Sequence, residues 1–263
     1  MPLTFENFSA WIEVDGSELP LFDASVNGRE VSCWIPSEVG KAFVVKFATG
    51  RRRHSMSGKV YMDGKLFRGI GIFVGAPETF TLSGSLSSST TEQPFVFSNI
   101  ELTDDDQYLD QALAGLGDIK LVISHATLLG RSSQQTFSKR ETTGKVHEKS
   151  KKVTGHTVGL GAERRVPYTP KMHATIHDVI VNFVFRYRPL DLLRANGIAP
   201  PAPRRESAVK QEVLDLTGDS EEEDTRRMKS LEEELEQLRR KRRKTQHDMH
   251  VKAEPAVKLE LGI

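Results

Sequence analysis

Three lysines near the C-terminal end of the sequence share one local pattern. Lys210 in VKQE, Lys252 in VKAE and Lys258 in VKLE each follow a valine and stand two places before a glutamate. A lysine amine is a nucleophile when it sheds its proton, and a thioester is a carbonyl it can attack to form an amide. The flanking valine supplies apolar contact to an enzyme surface, and the glutamate supplies a charge for a basic partner. Beside the first lysine runs VLDLTGDSEEED. Val213, Leu214, Asp215 and Leu216 form an aliphatic island, followed by Asp219, Glu221, Glu222 and Glu223. An extended segment of this kind can join the open edge of a sheet as an added strand, its aliphatic side chains filling a groove. Ser220, followed by three glutamates, suits an acid-directed kinase, and a phosphate there would deepen the negative patch.

Taken together, the island and its acidic run resemble a SUMO-interacting motif, and the three lysines resemble acceptor sites for SUMO conjugation. The resemblance implies two partners, SUMO and its conjugating enzyme. The competing readings are that the island leads into the following helix with Leu214 and Leu216 stapled onto it, and that the lysine patterns are chance matches in a solvated charged tail. The basic run RRKRRK comprises Arg239, Arg240, Lys241, Arg242, Arg243 and Lys244, with Arg226 and Arg227 ahead of it. It resembles a two-part nuclear import signal, which implies an import receptor as partner and a nuclear location, with a cytoplasmic one as the alternative.

Other candidate chemistry is thinner. Arg51, Arg52, Arg53 and His54, and the group Lys145, Lys149, Lys151 and Lys152, read as solvated loops. His173 and His177 stand four apart but in a strand-like setting, and HEKSK at His147 lacks a second histidine, so these read as surface histidines. GLG and GIG lack the spacing of a nucleotide-binding loop. The expectation is a protein without catalytic residues, cofactor or metal. The rival readings are a nucleic-acid-associated protein using the basic tail and loops, and an enzymatic or ligand-binding sandwich with a hidden site.

The elements that must carry these residues fall into two textures. Up to about residue 190 the chain reads as short strands. FSAWIEV alternates, with Phe8, Ala10, Ile12 and Val14 on one face, and KAFVVKF places Phe43, Val45 and Phe47 on one face. Asn27-Gly28 and Asp63-Gly64 mark hairpins, and Asp15-Gly16 a turn. PFVFSNI, GDIKLVISHA and HDVIVNFVFRYRP supply three more strands. PLDLLRANG reads as a closing helix stopped at Asn196-Gly197. DDDQYLDQALAGLG reads as a turn or two of helix, SGSLSSSTTEQ as a loop or strand edge, and SKRETTGKVHEKSKKVTGH as a long surface loop. The fold class predicted is mainly β: an antiparallel sandwich, jelly-roll-like, followed by a disordered tail with one short charged helix.

The predicted boundaries are a sandwich at 1–197, a disordered linker at 198–219 with the aliphatic island, a charged helix at 220–246, and a disordered end at 247–263. Ser220 and Glu223 fit a capping box at the helix start. Met228, Leu231, Leu235 and Leu238 form a two-heptad seam, enough for weak self-association through an antiparallel pair. Hydrophobic residues make up 37% of the chain and the formal net charge is +1, so no overall field marks a nucleic-acid binder. Cys33 is the single cysteine, which favours a reducing compartment. VIVNFVF is too short to span a bilayer, so no membrane is expected.

CWIPSEVGKAFVVKF, VYMDGKLF, HEKSKKVTGHTVGLG and FRYRPLDLLRANGIAPP resemble a family of fungal proteins known only as a domain of unknown function. The likeness covers roughly the first 200 residues. It implies one β-rich domain ending near Pro200, and carries no activity or site residue with it.

Overall fold

The computed structural model describes residues 1–105, 107, 114–131, 137, 142, 145–147, 155–202 and 226–240. Among these, in chain order, the strands are β1 (Leu3–Phe5), β2 (Phe8–Val14), β3 (Ser17–Glu18), β4 (Phe22–Asn27), β5 (Glu30–Ser37) and β6 (Ala42–Thr49). There follow β7 (Met56–Met62), β8 (Lys65–Ile72), β9 (Thr79–Leu82), β10 (Gly84–Leu86), β11 (Thr91–Asn99) and β12 (Leu102–Thr103). The last are β13 (Asp118–Arg131), β14 (Val146–His147), β15 (His156–Leu160), β16 (Arg164–Arg165) and β17 (Met172–Pro189), before the helix α1 (Leu190–Ala195).

These strands make two main layers. One sheet runs β1-β2-β6-β11-β10, with β3, β9, β15 and β16 attached; the other runs β4-β5-β17-β13-β7-β8. Alternation in the sequence decides which face turns inward. Phe8, Ala10 and Ile12 of β2 and Phe43, Val45 and Phe47 of β6 are buried, as their period of two requires. Opposite them lie Val31, Cys33 and Ile35 of β5, Ile119, Leu121 and Ile123 of β13, and Val181, Phe183, Phe185 and Tyr187 of β17, in one continuous core. Phe43 stacks on Phe97 at 4.4 Å between ring centroids, and Phe97 meets Tyr187 at 5.3 Å, which joins the layers. Burying each such ring is worth about 2–3 kcal/mol, so these aromatics dominate the packing. The fold is a mainly β sandwich.

The nine-stranded sheet is antiparallel throughout, whereas the six-stranded sheet is mixed. β17 pairs in parallel with β5, from Asn182 beside Glu30 to Pro189 beside Ser37, and β12 pairs in parallel with β14. A parallel neighbour requires a long crossover, and here most of the domain lies between the two strands. The long-loop expectation for 138–156 also changes: Val146 and His147 form a strand and are 2% and 1% exposed. The apolar Val146 and the Lys145–Glu101 ion pair, at 3.5 Å, hold that segment against β12. Within SGSLSSSTTEQ, Gly84–Leu86 is a strand paired with β11.

Two buried carboxylates tie the layers. Asp63 opens the β7–β8 turn with φ 50°, followed by Gly64 at φ 80°, the backbone that an Asp-Gly hairpin favours. A Cβ on Gly64 would lie 2.2 Å from the Ala114 carbonyl oxygen, so glycine is also required for space. The Asp63 side chain accepts hydrogen bonds from Gly117 N–H (2.8 Å), Thr157 Oγ1 (2.7 Å), Val158 N–H (2.9 Å) and the Tyr187 hydroxyl. Glu92 of β11 accepts from Arg68 of β8 (2.9 Å), Ser83 (2.7 Å) and Arg164 (2.8 Å). Such buried charges persist because their lone pairs are filled.

α1 closes the domain. Leu193 is buried, Gly197 takes φ 70°, and the N–H groups of Ile198 and Ala199 return to the Leu193 carbonyl. Ala199 is itself buried, and the compact unit spans Met1–Pro203. Residues 226–240 form a separate helix, in which Arg240 pairs with Glu236 one turn back at 3.1 Å.

Candidate binding face

The outward rows of the six-stranded sheet converge on one depression. On β5, β17, β13 and β7 every second residue turns away from the core, which places Glu30, Ser32 and Trp34 beside Asn182, Val184 and Arg186. β13 adds Asp118, Lys120 and Val122 opposite Arg186, Val184 and Asn182, and β7 adds Tyr61 opposite Lys120. Val122, Val179 and Val184 line the floor of an open hollow of 530 Å³, with Glu30, Tyr61, Lys120 and Arg186 among its walls. Val184 is only 5% exposed although it lies on the outer face. Longer neighbours shield it while keeping their charged ends in water.

Two arginines share one indole. The guanidinium carbon of Arg186 lies 5.6 Å from the Trp34 ring centre, and that of Arg188 lies 5.1 Å away. Arg188 also donates to the carbonyls of Gly117 (3.0 Å) and Tyr187 (2.6 Å). Burial pulls the Arg188 pKa down and the charge of Arg186 adds to this, while Asp118, Tyr187 and Asp63 oppose it. Cation–π attraction offsets part of the repulsion between the two cations. Lys120 faces Glu30 at 3.7 Å, and both are well exposed. The face can therefore hold an anionic ligand over an apolar floor.

A family model described as a domain of unknown function, DUF7918, matches residues 7–202. The chain belongs to this family. The DUF7918 match takes in both sheets apart from β1, the valine-floored hollow and α1, and ends one residue before the unit Met1–Pro203 does. No curated protein and no solved structure matches the chain.

The sequence-derived site residues come later in the chain. Val213, Leu214, Asp215, Leu216, Asp219, Ser220, Glu221, Glu222, Glu223, Lys210, Lys252 and Lys258 fall outside the described residues, as do Lys241, Arg242, Arg243 and Lys244. Arg226, Arg227, Arg239 and Arg240 are on the helix 226–240, where Met228, Leu231, Leu235 and Leu238 are 54–68% exposed. In the DUF7918 domain, Arg52 lies in the β6–β7 loop as expected, but its guanidinium is packed rather than solvated. It donates to the Thr49 hydroxyl and to the carbonyls of Ala76 and Pro77, and lies over Phe80. His147 is buried rather than at the surface, and His173 and His177 lie on β17 as a strand reading requires. Ser37 Oγ and His156 Nδ1 are 2.8 Å apart, joining β5 to β15 across the layers, and burial lowers the His156 pKa. Among the described residues, no group of three or more His, Cys, Asp or Glu is placed to hold a metal, and no helix is long and apolar enough to cross a membrane.

The face itself escaped the sequence reading. Its signal was FRYR, where Arg186 and Arg188 alternate with buried Phe185 and Tyr187 and so must share the outer face. Only the parallel pairing to β5 brings Trp34 beside them, and no local pattern announces that neighbour.

Proposed function

We propose that the protein is a non-enzymatic nuclear interaction protein: a DUF7918 sandwich serving as platform, and a tail that docks SUMO and accepts its conjugation. Val213, Leu214 and Leu216 fill the modifier's groove as an added strand, and Asp219 with Glu221, Glu222 and Glu223 meets its basic rim. Lys210, Lys252 and Lys258 are the acceptors. Arg226, Arg227 and the run 239–244 direct import, and phosphorylation of Ser220 strengthens docking by adding negative charge.

One observation carries this reading. The acid-flanked island and all three Val-Lys-any-Glu segments fall after Pro203, in the unit that follows the sandwich in the chain. Titration calorimetry of purified SUMO into the full chain is expected to give saturable binding. The variant V213A/L214A/L216A should bind at least tenfold more weakly, which corresponds to about 1.4 kcal/mol. Equal affinity for the two proteins would refute the docking claim. In reconstituted conjugation, K210R/K252R/K258R is expected to lose the modified bands that the wild type forms.

A further inference from the structure

The outer face of the six-stranded sheet has a chemistry of its own, independent of the tail. Its floor is aliphatic, made by Val122, Val179 and Val184. Lys120 and Arg186 line the hollow with the carboxylates Glu30 and Asp118, and Lys59 and Arg188 add two more cations to the same outer face. From Val179 to Arg186 the hollow follows β17 for roughly 23 Å at about 3.3 Å per residue, the reach of about seven or eight extended residues. A ligand matched to this surface is elongated, carries apolar groups for the floor and presents negative charge to the walls.

Two classes of chain are elongated and anionic, and the residues favour one. Single-stranded nucleic acid is held by bases stacked on exposed aromatic rings and by an unbroken basic track. Here the Trp34 ring lies under two guanidiniums, the floor is valine, and Glu30 and Asp118 interrupt the track. An extended peptide alternates its side chains. Aliphatic residues at every second position would rest on the valines, and intervening carboxylates would reach Lys120 and Arg186. We infer that this face of the DUF7918 domain is a docking groove for an extended partner peptide of mixed aliphatic and acidic residues.

The test uses the full chain and a fluorescein-labelled octapeptide of alternating valine and glutamate, followed by anisotropy. Saturable binding is expected, and the matching valine–lysine octapeptide should not bind. K120E/R186E should weaken binding at least tenfold, and K120Q and R186Q singly by threefold or more, which keeps the test intact if the charge reversal fails to fold. Replacing Arg239, Arg240, Lys241, Arg242, Arg243 and Lys244 by glutamine should leave most of the affinity. The inference is overturned by absence of saturable binding, by undiminished binding in the K120Q and R186Q variants, or by loss of binding in the 239–244 variant alone. Tighter binding of a single-stranded oligouridylate than of the acidic peptide would overturn it in favour of nucleic acid.

Discussion

Replacing Asp63 by asparagine changes one atom and no volume, yet it strikes the node where four segments meet. Oδ1 accepts from Gly117 N–H and the Tyr187 hydroxyl, and Oδ2 accepts from Thr157 Oγ1 and Val158 N–H. Whichever way the new amide turns, its NH₂ faces one backbone N–H and one hydroxyl. The hydroxyl can rotate to accept, but the backbone donor is left buried and unsatisfied, at about 1–3 kcal/mol. The other bonds lose their charge assistance, roughly 1 kcal/mol each. Relief of the desolvated carboxylate offsets part of this, leaving a net loss of about 3–5 kcal/mol. For a unit of this size that is a fall in Tm of roughly 6–20 °C. Urea unfolding followed by circular dichroism measures it as a lower midpoint at unchanged slope. Tyr187→Phe is the comparison, because Oδ1 keeps Gly117 N–H and the cost drops to about 1 kcal/mol. Burial, reinforced by Asp63, holds the Tyr187 pKa well above its usual value, so its hydroxyl stays a donor. The reasoning fails if D63N lies within about 1 kcal/mol of wild type, or if Y187F costs as much as D63N.

Glu92 gives a pH dependence of known sign. Burial pushes its carboxyl up, but hydrogen bonds from Ser83, Arg164 and Arg68 outweigh that and hold it below its ordinary 4.5. The folded state then binds its proton less readily than the unfolded chain, so its contribution is present above pH 4.5 and drains away as the pH falls below that value. Unfolding free energy measured from pH 6 to pH 3 should fall more steeply for wild type than for E92Q; parallel curves would count against the clasp. Burial pushes the Cys33 thiol up to about 12, with Arg186 opposing, and the side chain is fully enclosed. A thiol-specific chromogenic reagent should therefore release no colour from the native protein and one equivalent per chain in denaturant. Release of one equivalent from the native protein would contradict the packing of β5.

Local pattern was enough for most strands and for several turns. Alternation assigns the inner faces of β2 and β6, and Asn27-Gly28 and Asp63-Gly64 mark the β4–β5 and β7–β8 hairpins, because both signals depend on residues adjacent in the chain. What escaped depends on residues far apart. The parallel β5–β17 pairing, the acceptor role of Asp63 and the Arg68–Glu92–Arg164 clasp each join segments that no short window contains. The charged neighbours of His147 dominate the local composition and point to the surface; its burial follows from Val146 and from β12, which lies some forty residues earlier. The candidate face was half visible, in the alternating arginines of FRYR. Its floor and its indole came only with the assembled sheet.

The position of β17 also has a bearing on how the molecule is made. The first hairpin of the six-stranded sheet, β4–β5, is joined to the other strands of that sheet only through the last strand. During translation the ribosome must therefore release everything up to about Pro189 before this layer can close, and until then β5 and β13 both present bare edges to solvent. Strand edges waiting on distant partners are slow to pair and apt to pair wrongly. A nascent chain stalled before Met172 should be a client of chaperones, whereas one released past the closing helix should not.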